Sequence, residues 1–513
     1  MVPGWPAPAS AALRPCPRWL LFALELAALL LLASCYTFGD ETSWVRIQNM
    51  GQEDASFSIE FLSEDGELLG EHVCPSRECP ALAPGAGLTI PFQGVSSFPE
   101  EVLGSAVVTS DQPLIVLMVS DVERDEGRFQ SAGDTLSTAS SGGHLYLPFM
   151  VRRSGPEEDW NGRFVVQNVS DDVAACATLV YIDESGEVAW DPYDPARPPP
   201  ERSPDCPDGG LAIPPGASVF RDPVSLAAPP PFRGAVRVDL HTNSAGIPGA
   251  AQSVVATAGL WNDDSLHFGS YRALTENELG RTVLLPLVER DADGSWSTEF
   301  QVENRDPRRP ATVTLRIEGL DYSIDPPEPV VRESMVTVRG SELCVQDDPR
   351  ADCLDAGEEL PEGFRGYALL SSDEPLAVTV SRTASEEDAM GIYRGVALQE
   401  AATRLYLPLV VKNAEAPDRT GERSLIRVQV ADGGDASVTL RYLEDGVSGS
   451  GVEQQIEVSG AATIIPDESP LLADGFAGSA VLESDRPIVA VVELTTGGFT
   501  GDTLVMYTAV PGS

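Results

Sequence analysis

Histidine is the side chain best suited to proton transfer near neutral pH, and this chain has four: His72, His144, His241 and His267. Catalysis needs such a base held beside a nucleophile or a metal. The four histidines fall at unrelated spacings, and no HExxH, GxSxG, P-loop or GxGxxG pattern accompanies them. The sequence therefore predicts no catalytic residue and no cofactor, and we expect a protein that is not an enzyme.

Two segments carry residues that could hold a cation. His72, Cys74 and Cys79 offer zinc ligands, but their spacing is not CxxC and no second pair follows. The segment Asp291-Ala292-Asp293-Gly294 is similar to a calcium loop, yet it lacks the flanking ligands of an EF-hand, so an ordinary Asp-Gly turn is favoured. We predict no metal site, with weak surface calcium binding as the alternative.

The N-terminus has the layout of an export signal. Arg14 and Arg18 form a basic region, and residues 19–33 are apolar except for Glu25. This run closes on Leu32-Ala33-Ser34-Cys35, which resembles a bacterial lipobox. The resemblance implies that residues 1–34 are removed and that Cys35 carries the lipid. Since Tyr36 follows, rather than Asp, the outer membrane is the expected location. An uncleaved anchor is the alternative, but about 15 apolar residues fall short of the roughly 20 that span a bilayer.

The remaining cysteines fall in pairs. Removing Cys16 with the leader and committing Cys35 to lipid leaves six thiols. We predict three local disulfides of an oxidising compartment: Cys74 with Cys79, Cys176 with Cys206, and Cys344 with Cys353.

The charge balance excludes some partners. The chain has 79 acidic against 34 basic residues, a formal net charge of -45. Such a surface repels nucleic acid phosphates, so we expect no nucleic acid partner. The excess is spread along the whole chain, which favours solvated faces of folded domains, with divalent-cation binding as the alternative.

One segment recurs along the chain at intervals of whole-domain size. The copies are residues 104–113 (GSAVVTSDQP), 366–375 (GYALLSSDEP) and 478–487 (GSAVLESDRP), with a degenerate copy starting at Gly234. A period this long is typical of serial domains rather than of solenoid repeats. We assign repeat 1 to residues 36–143, repeat 2 to 144–280, repeat 3 to 281–403 and repeat 4 to 404–513.

Each repeat reads as a series of short strands. Repeats 2 to 4 open on an aliphatic segment (LYLP, LLP and LYLP), and every repeat then has an alternating VQN-like strand and, in most repeats, a PGA-like turn. We interpret the GxAxxxSDxP segment as a hairpin and residues 273–279 as the one short helix. The predicted fold is all-β, with four tandem antiparallel β-sandwich, immunoglobulin-like domains. The sequence leaves open which domain owns each LYLP strand.

The motif set LYLPLV, VQN, PGAS and GSAVVxSDxP resembles a family of uncharacterised secreted bacterial multi-repeat surface proteins, similar in pattern to immunoglobulin-like modules. The resemblance implies no catalytic residues. Trp44, Trp160 and Trp296 precede the VQN strands and are expected to plug the cores, although sugar-binding modules also use exposed tryptophan.

We expect a non-catalytic, lipid-anchored cell-envelope protein that acts as a surface spacer or as an adhesion or interaction protein, with the membrane as partner through Cys35. The sequence does not identify a protein or glycan partner. The alternative is a carbohydrate- or calcium-dependent binding module of an envelope complex.

Overall fold

The structure is a computed structural model. It describes residues 41–513 apart from residues 77–78, 92–103, 125–126, 134–141, 155–159, 184–185, 187, 191–204, 208–209, 222–230, 263–266, 293–295, 345–358, 385–388, 417–418, 446–450, 498–501 and 513. The described part forms one compact unit. It is all-β, with several antiparallel sheets and short 3-10 helices.

Repeat 1 contributes two separate sheets, ordered β4-β1-β6-β7 and β3-β2-β5. Its strands are β1 (Glu41–Asn49), β2 (Phe57–Ser63), β3 (Leu68–Cys74), β4 (Gly87–Pro91), β5 (Gly104–Ser110), β6 (Leu114–Arg124) and β7 (Gly127–Gly133).

Repeat 2 contributes a ten-stranded sheet ordered β11-β10-β14-β8-β9-β15-β16, with β12, β13 and β17 paired to β10, β9 and β8. Its strands are β8 (His144–Ser154), β9 (Trp160–Asn168), β10 (Ala175–Asp183), β11 (Val188–Trp190), β12 (Leu211–Ile213), β13 (Ser218–Arg221), β14 (Phe232–His241), β15 (Val254–Asn262), β16 (Phe268–Arg272) and β17 (Leu274–Thr275). Short 3-10 helices span Gly249–Ala251 and Glu276–Glu278.

Repeat 3 contributes an eight-stranded sheet built on β21-β20-β23-β18-β25, with β19 and β24 paired to β23 and β22 paired to β19. Its strands are β18 (Gly280–Arg290), β19 (Trp296–Asn304), β20 (Ala311–Asp321), β21 (Glu328–Val338), β22 (Ser341–Cys344), β23 (Phe364–Ala384), β24 (Ala389–Arg394) and β25 (Val396–Ala397). A 3-10 helix spans Leu398–Glu400.

Repeat 4 contributes an eight-stranded sheet ordered β29-β28-β31-β26-β27-β30, with β32 paired to β31 and β33 to β26. Its strands are β26 (Ala402–Ala416), β27 (Arg419–Val430), β28 (Asp435–Glu444), β29 (Val452–Ser459), β30 (Ala461–Ile464), β31 (Phe476–Gly497), β32 (Leu504–Thr508) and β33 (Val510–Pro511). A 3-10 helix spans Pro466–Glu468.

The segment expected to be a helix is mostly not one. Leu274–Thr275 forms strand β17, and only Glu276–Glu278 turns as a 3-10 helix. The Glu278 carboxylate accepts a hydrogen bond from the Thr275 backbone N–H at 2.8 Å, which closes a capping box over a single turn. The apolar spacing of this segment therefore reflects burial of Leu274 and Leu279 rather than a helix face.

Each LYLP strand pairs with strands that come after it in the sequence. β8 pairs with β14, β18 with β23, and β26 with β31, in the same register. In each of these three repeats the LYLP strand pairs with one edge of the strand that begins the GxAxxxSDxP motif, β14, β23 or β31. We call this strand, and its equivalent β5 in repeat 1, the GxA strand. This pairing settles the ownership that the sequence left open.

The GxAxxxSDxP segment is not a hairpin, so this interpretation was wrong. In repeat 1 the strand before SDxP, β5, pairs with β2, whereas the strand after it, β6, pairs with β1 of the other sheet. In repeats 3 and 4 the two halves form the single long strands β23 and β31. In repeat 1 the motif therefore carries the chain from one sheet to the other, and in repeats 3 and 4 it lies within one long strand that pairs with different neighbours along its two halves.

The aspartate of the motif holds this crossing in place. Asp111, Asp373 and Asp485 each accept a hydrogen bond from the backbone N–H at the start of the neighbouring strand, at 2.8 to 2.9 Å. Repeat 2 lacks the aspartate, and there the Gln252 side chain accepts from the Cys176 N–H at 3.0 Å. A different residue supplies the same acceptor, which explains how the degenerate copy keeps the geometry.

A buried tyrosine supports each LYLP strand at the residue after its proline. Tyr271 Oη donates to the Phe149 carbonyl at 2.5 Å, Tyr393 Oη to Leu287 at 2.6 Å, and Tyr507 Oη to Leu409 at 2.5 Å. The strand ladder shifts register at this point in all three repeats. The hydroxyl therefore satisfies a backbone group that the irregular ladder leaves free.

The hydrophobic cores of the repeats are joined rather than independent. Trp44, Leu117 and Val119 of repeat 1 belong to the core cluster of repeat 4. Leu504 and Met506 of repeat 4 belong to the core cluster of repeat 3. The expectation of separate successive cores does not hold, because apolar side chains cross from each of these repeats to another.

Replacing Tyr393 by Phe should lower the free energy of unfolding by about 1–3 kcal/mol, because the Leu287 carbonyl stays buried without its donor. Thermal and denaturant unfolding measure the loss. Tyr322→Phe removes a hydroxyl from a side chain that is 53% exposed and should change stability by less than about 0.5 kcal/mol. Equal effects of the two variants would contradict the role given to the tyrosine.

Candidate functional site at the contacts between repeats

Two of the three expected disulfides are formed in the described residues. Cys74 is bonded to Cys79, and Cys176 to Cys206. The side chain of Cys344 and all of Cys353 lie outside the described residues, as does the expected lipidation residue Cys35.

The histidines do not come together. His72 lies beside the Cys74–Cys79 pair, whose sulfurs are bonded to each other, so they offer no thiolates for zinc. His144 Nδ1 lies 2.8 Å from Asp239, and His241 Nε2 lies 2.9 Å from the Thr178 hydroxyl. His267 stacks on Trp160.

Two of the three recurring tryptophans are core residues. Trp44 and Trp296 are each 9% exposed, whereas Trp160 is half-buried. The Arg382 guanidinium lies 3.6 Å from the centroid of the Trp296 ring, in cation–π geometry. For Trp44 and Trp296 the core interpretation holds over sugar binding.

The most regular feature of the described residues is a turn of each repeat that packs on the preceding repeat. A Cβ on Gly216 would lie 3.0 Å from Leu62 of repeat 1, and one on Gly340 would lie 2.2 Å from the Cα of Gly186 in repeat 2. A Cβ on Gly460 would lie 2.8 Å from the Tyr367 hydroxyl of repeat 3. A Cβ on Gly85 of repeat 1 would lie 2.8 Å from Leu443 of repeat 4. The same contact thus occurs four times, and the fourth returns from repeat 1 to repeat 4.

The glutamine of the VQN strand makes a second recurring contact. Gln167 Nε2 donates to Ser105 Oγ of repeat 1 at 2.8 Å, and Gln429 Nε2 donates to the Ala368 carbonyl of repeat 3 at 3.3 Å. Gln48 Nε2 of repeat 1 donates to the Ala480 carbonyl of repeat 4 at 3.1 Å. Each acceptor lies on the GxA strand of the neighbouring repeat. Repeats 1 to 4 therefore close on themselves in a ring.

One strand from each repeat packs against the equivalent strands of two other repeats. β7 packs beside β16, β16 beside β24, β24 beside β32, and β32 beside β7. The fully buried Asp502 carboxylate accepts from the Phe268 N–H of repeat 2 at 2.8 Å and from the Met390 N–H of repeat 3 at 2.7 Å. One side chain of repeat 4 thereby bonds to two other repeats.

The contact of repeat 1 with repeat 4 uses a fully buried arginine. Arg46 Nε donates to the Pro408 carbonyl at 2.6 Å, and its two terminal nitrogens pair with the two Asp445 oxygens. A bidentate pair fixes direction as well as attraction. This contact joins residues at opposite ends of the described chain.

The contact of repeat 3 with repeat 4 buries a larger charge cluster. Glu289 pairs with Arg365 at 2.5 Å and with Arg382 at 2.6 Å. Glu493 of repeat 4 pairs with Arg427 at 3.0 Å and with Arg382 at 3.4 Å. Burial raises the pKa of the Glu493 carboxyl, but Arg382 and Arg427 outweigh burial and hold that pKa below its ordinary value.

The contact of repeat 2 with repeat 3 contains a carboxyl where repeats 1, 2 and 4 have glutamine. Glu303 is fully buried, and neither of its oxygens has a hydrogen-bond partner among the described residues. Burial raises the pKa of Glu303 to about 8; nearby Arg237 lowers it and Asp239 raises it. Arg237 and His144 are both engaged with Asp239, at 2.6 and 2.8 Å. This carboxyl therefore holds a proton across most of the neutral range.

A cavity of about 50 Å³ lies in repeat 2 between Asn168, Ile247 and Gln252. That volume holds one or two waters. No described helix is long and apolar enough to cross a bilayer.

Comparisons with known proteins add little. No protein-family model and no curated protein matches the chain. The crystal structure of Thermotoga maritima 1070 is similar to part of it, with 15% sequence identity over 22% of this chain and 98% of that chain, at a TM-score of 0.19. This likeness carries no argument about function.

Sequence reasoning missed the contacts between repeats. The glutamine of the VQN strand and the glycine of the PGA turn were visible as motifs, but a motif does not say which of its atoms face a neighbour. The buried charged residues, such as Arg46 and Glu303, alternate with apolar residues along their strands. This alternation is typical of side chains that face solvent. One sequence signal could have predicted their burial: they lie in the middle of strands that recur in every repeat and are otherwise aliphatic.

Replacing Glu303 by Gln should flatten the pH dependence of stability. The folded pKa of about 8 lies above the ordinary glutamate value of 4.5, so the folded state keeps a proton that the unfolded state releases. Stability of the parent protein therefore falls as pH rises from about 4.5 to about 8. The Gln variant should lack this loss and be the more stable protein at pH 8, as measured by denaturant unfolding across that range. The exposed Glu333→Gln variant should keep the parent's slope.

Replacing Gly340 by Ala should destabilise the protein by about 1–3 kcal/mol, because the new methyl group meets the backbone of Gly186 in the neighbouring repeat. Gly259→Ala is the matched control, since its Cβ would find only ordinary contacts beyond 3.6 Å. Thermal unfolding compares the two. If Gly340→Ala were as stable as Gly259→Ala, the close approach of the turn would be refuted.

Proposed function

We propose that this chain is a non-catalytic cell-envelope lipoprotein, anchored through Cys35, whose four immunoglobulin-like β-sandwich repeats form one interaction platform. The observation that carries the proposal is the ring of contacts that brings repeat 4 back against repeat 1, through Gly85, Gln48 and Arg46. The boundaries of the four sandwich domains are those assigned from the sequence.

The ring favours an interaction role over a spacer role. A spacer gains reach from each domain added in series, whereas here the fourth repeat contacts the first. Two ion pairs cross from repeat 3 to repeat 4, Arg382 with Glu493 and Arg427 with Glu289, and the bidentate pair at Arg46 crosses from repeat 1 to repeat 4. Separating the repeats would break these buried pairs, which is costly, so the repeats are held as a unit.

A platform of four related repeats offers related but unequal surfaces. The connections between strands differ most among the repeats, and such loops are where sandwiches place recognition. Weak contacts of several repeats with one partner can combine through multivalency, because the ring keeps their separations constant.

The anchor places this platform at a membrane surface. Strand β1 begins at Glu41, a few residues after Cys35, so the lipid would lie close to repeat 1. A single acyl group binds a bilayer only marginally, and the diacylglyceryl group expected at a lipobox cysteine supplies two chains.

Mass spectrometry of the mature N-terminus should find a diacylglyceryl group on Cys35. The Cys35→Ala variant should shift from the membrane fraction to the soluble fraction or remain as precursor. Replacing Cys16 by Ala is the matched control and should leave fractionation unchanged. A mature N-terminus beyond residue 35 without lipid would refute the anchor.

A glycan array and calcium titration by calorimetry separate this platform from a carbohydrate- or calcium-dependent module. Specific glycan binding, or calcium binding with a Kd below about 1 mM, the weak end of extracellular calcium sites, would favour that alternative.

A further inference from the structure

Among its described residues, repeat 1 lacks a strand that the other three repeats have. In repeats 2, 3 and 4 the GxA strand is paired on both edges, with a LYLP strand on one side. The equivalent strand of repeat 1, β5, pairs with β2 on one edge and with no strand on the other among the described residues. The two sheets of repeat 1 are correspondingly separate.

The core of repeat 1 is uncovered along this edge. Ala106 and Val108 of β5 are half-buried, as are Leu114 and Val116 of β6. The residues equivalent to Ala106 and Val108 in the other repeats are all 1% exposed or less: Val236, Val238, Ala368, Leu370, Ala480 and Leu482.

A buried hydroxyl in the next repeat points to the same missing strand. Ser341 Oγ of repeat 3 donates to the Pro148 carbonyl of the LYLP strand in repeat 2, at 3.0 Å. The equivalent residue one repeat earlier is Ser218, which stands opposite Gln167 as Ser341 stands opposite Glu303. Ser218 Oγ is buried and has no hydrogen-bond partner among the described residues. A hydroxyl without a partner is costly, and here a strand carbonyl would supply one.

The chemistry of the occupant follows from the three strands that fill the equivalent place. Opposite the first position the other repeats have Leu147, Leu285 and Leu407, and opposite the second they have Leu145, Val283 and Leu405. The occupant is therefore an extended strand with large aliphatic side chains at alternate positions, opposite Ala106 and Val108.

Among the described residues no strand of this chain lies on the open edge of β5. Leu24 and Leu26 precede Val45 by the same number of residues as Leu405 and Leu407 precede Ile426, so the leader holds the matching segment. Cleavage before Cys35 removes it and leaves only residues 35–40 ahead of β1. A second copy has none to lend, because β8, β18 and β26 are each built into their own sheets.

We propose that the open edge of β5 is a docking site for an extended aliphatic strand of another protein, completing repeat 1 by strand addition. The inference rests on the proposed cleavage and lipidation at Cys35. Main-chain hydrogen bonds would provide affinity, and the two aliphatic positions together with Ser218 would provide register.

The test uses the mature protein, beginning at Cys35, in detergent, and a synthetic peptide with the sequence of residues 404–412 (RLYLPLVVK). The peptide should bind and should slow amide hydrogen exchange at residues 104–110. A control peptide with Leu405→Asp and Leu407→Asp should bind at least about tenfold more weakly, since it loses two buried aliphatic side chains.

A protein variant gives a second readout. Ser218→Ala should weaken binding of the RLYLPLVVK peptide about fivefold, because the hydrogen bond to the peptide carbonyl is lost. The exposed Ser437→Ala variant should leave binding unchanged.

Equal binding of the two peptides, or binding that leaves exchange at residues 104–110 unchanged, would overturn the proposal. So would a mature protein whose residues 104–110 exchange as slowly as residues 478–482 before any peptide is added. The anchor is tested separately: a chain that starts at residue 35 without lipid but binds the peptide keeps the docking site and loses the anchor. If the natural protein retains residues 24–30 and does not bind the peptide, both the docking site and the anchor are refuted.

Discussion

The structure depends on one constraint: the aliphatic GxA strand of a repeat has to be covered along both edges. In repeats 2 to 4 strands of the same repeat cover both edges. In repeats 1, 3 and 4 a hydroxyl or carbonyl of the GxA strand also accepts a hydrogen bond from the VQN-strand glutamine of the next repeat. Sheet completion and contact between repeats therefore share one strand. Because Gln48 of repeat 1 makes the same contact to repeat 4, the series of contacts closes into a ring.

The glycine contact is the same at all four contacts between repeats, but the polar groups buried there differ from one contact to the next. An arginine pair, a glutamine bond, a protonated carboxyl and a five-residue charge cluster occupy comparable places. Buried ion pairs gain little net stability, since desolvation offsets most of their attraction. The two ion pairs that cross from repeat 3 to repeat 4 join Arg382 to Glu493 and Arg427 to Glu289. Each of these four side chains also has a charged partner in its own repeat.

The all-β class, the recurring strands and the bonded cysteine pairs could be read from the sequence, because alternation and local cysteine spacing are local signals. The crossing at SDxP could not. An aspartate before proline suits a hairpin and a sheet-to-sheet crossing equally, and only the pairing of β5 with β2 and of β6 with β1 distinguishes them. The ring was also out of reach, since Arg46 and Asp445 are paired across almost the whole chain and no local pattern links them.

Among the described residues, the contact of repeat 1 with repeat 2 has fewer side-chain hydrogen bonds than the contact of repeat 1 with repeat 4. Its glutamine bond and one backbone bond from Ser218 to Glu64 are present, but the carbonyl that the Ser218 hydroxyl would meet is missing. The contact on the other side of repeat 1 has the bidentate arginine and the Pro408 carbonyl. Local opening follows the sites with the fewest buried contacts. The ring therefore opens more easily between repeats 1 and 2 than between repeats 4 and 1. A strand added at β5 would both fill the core of repeat 1 and supply the carbonyl for the Ser218 hydroxyl.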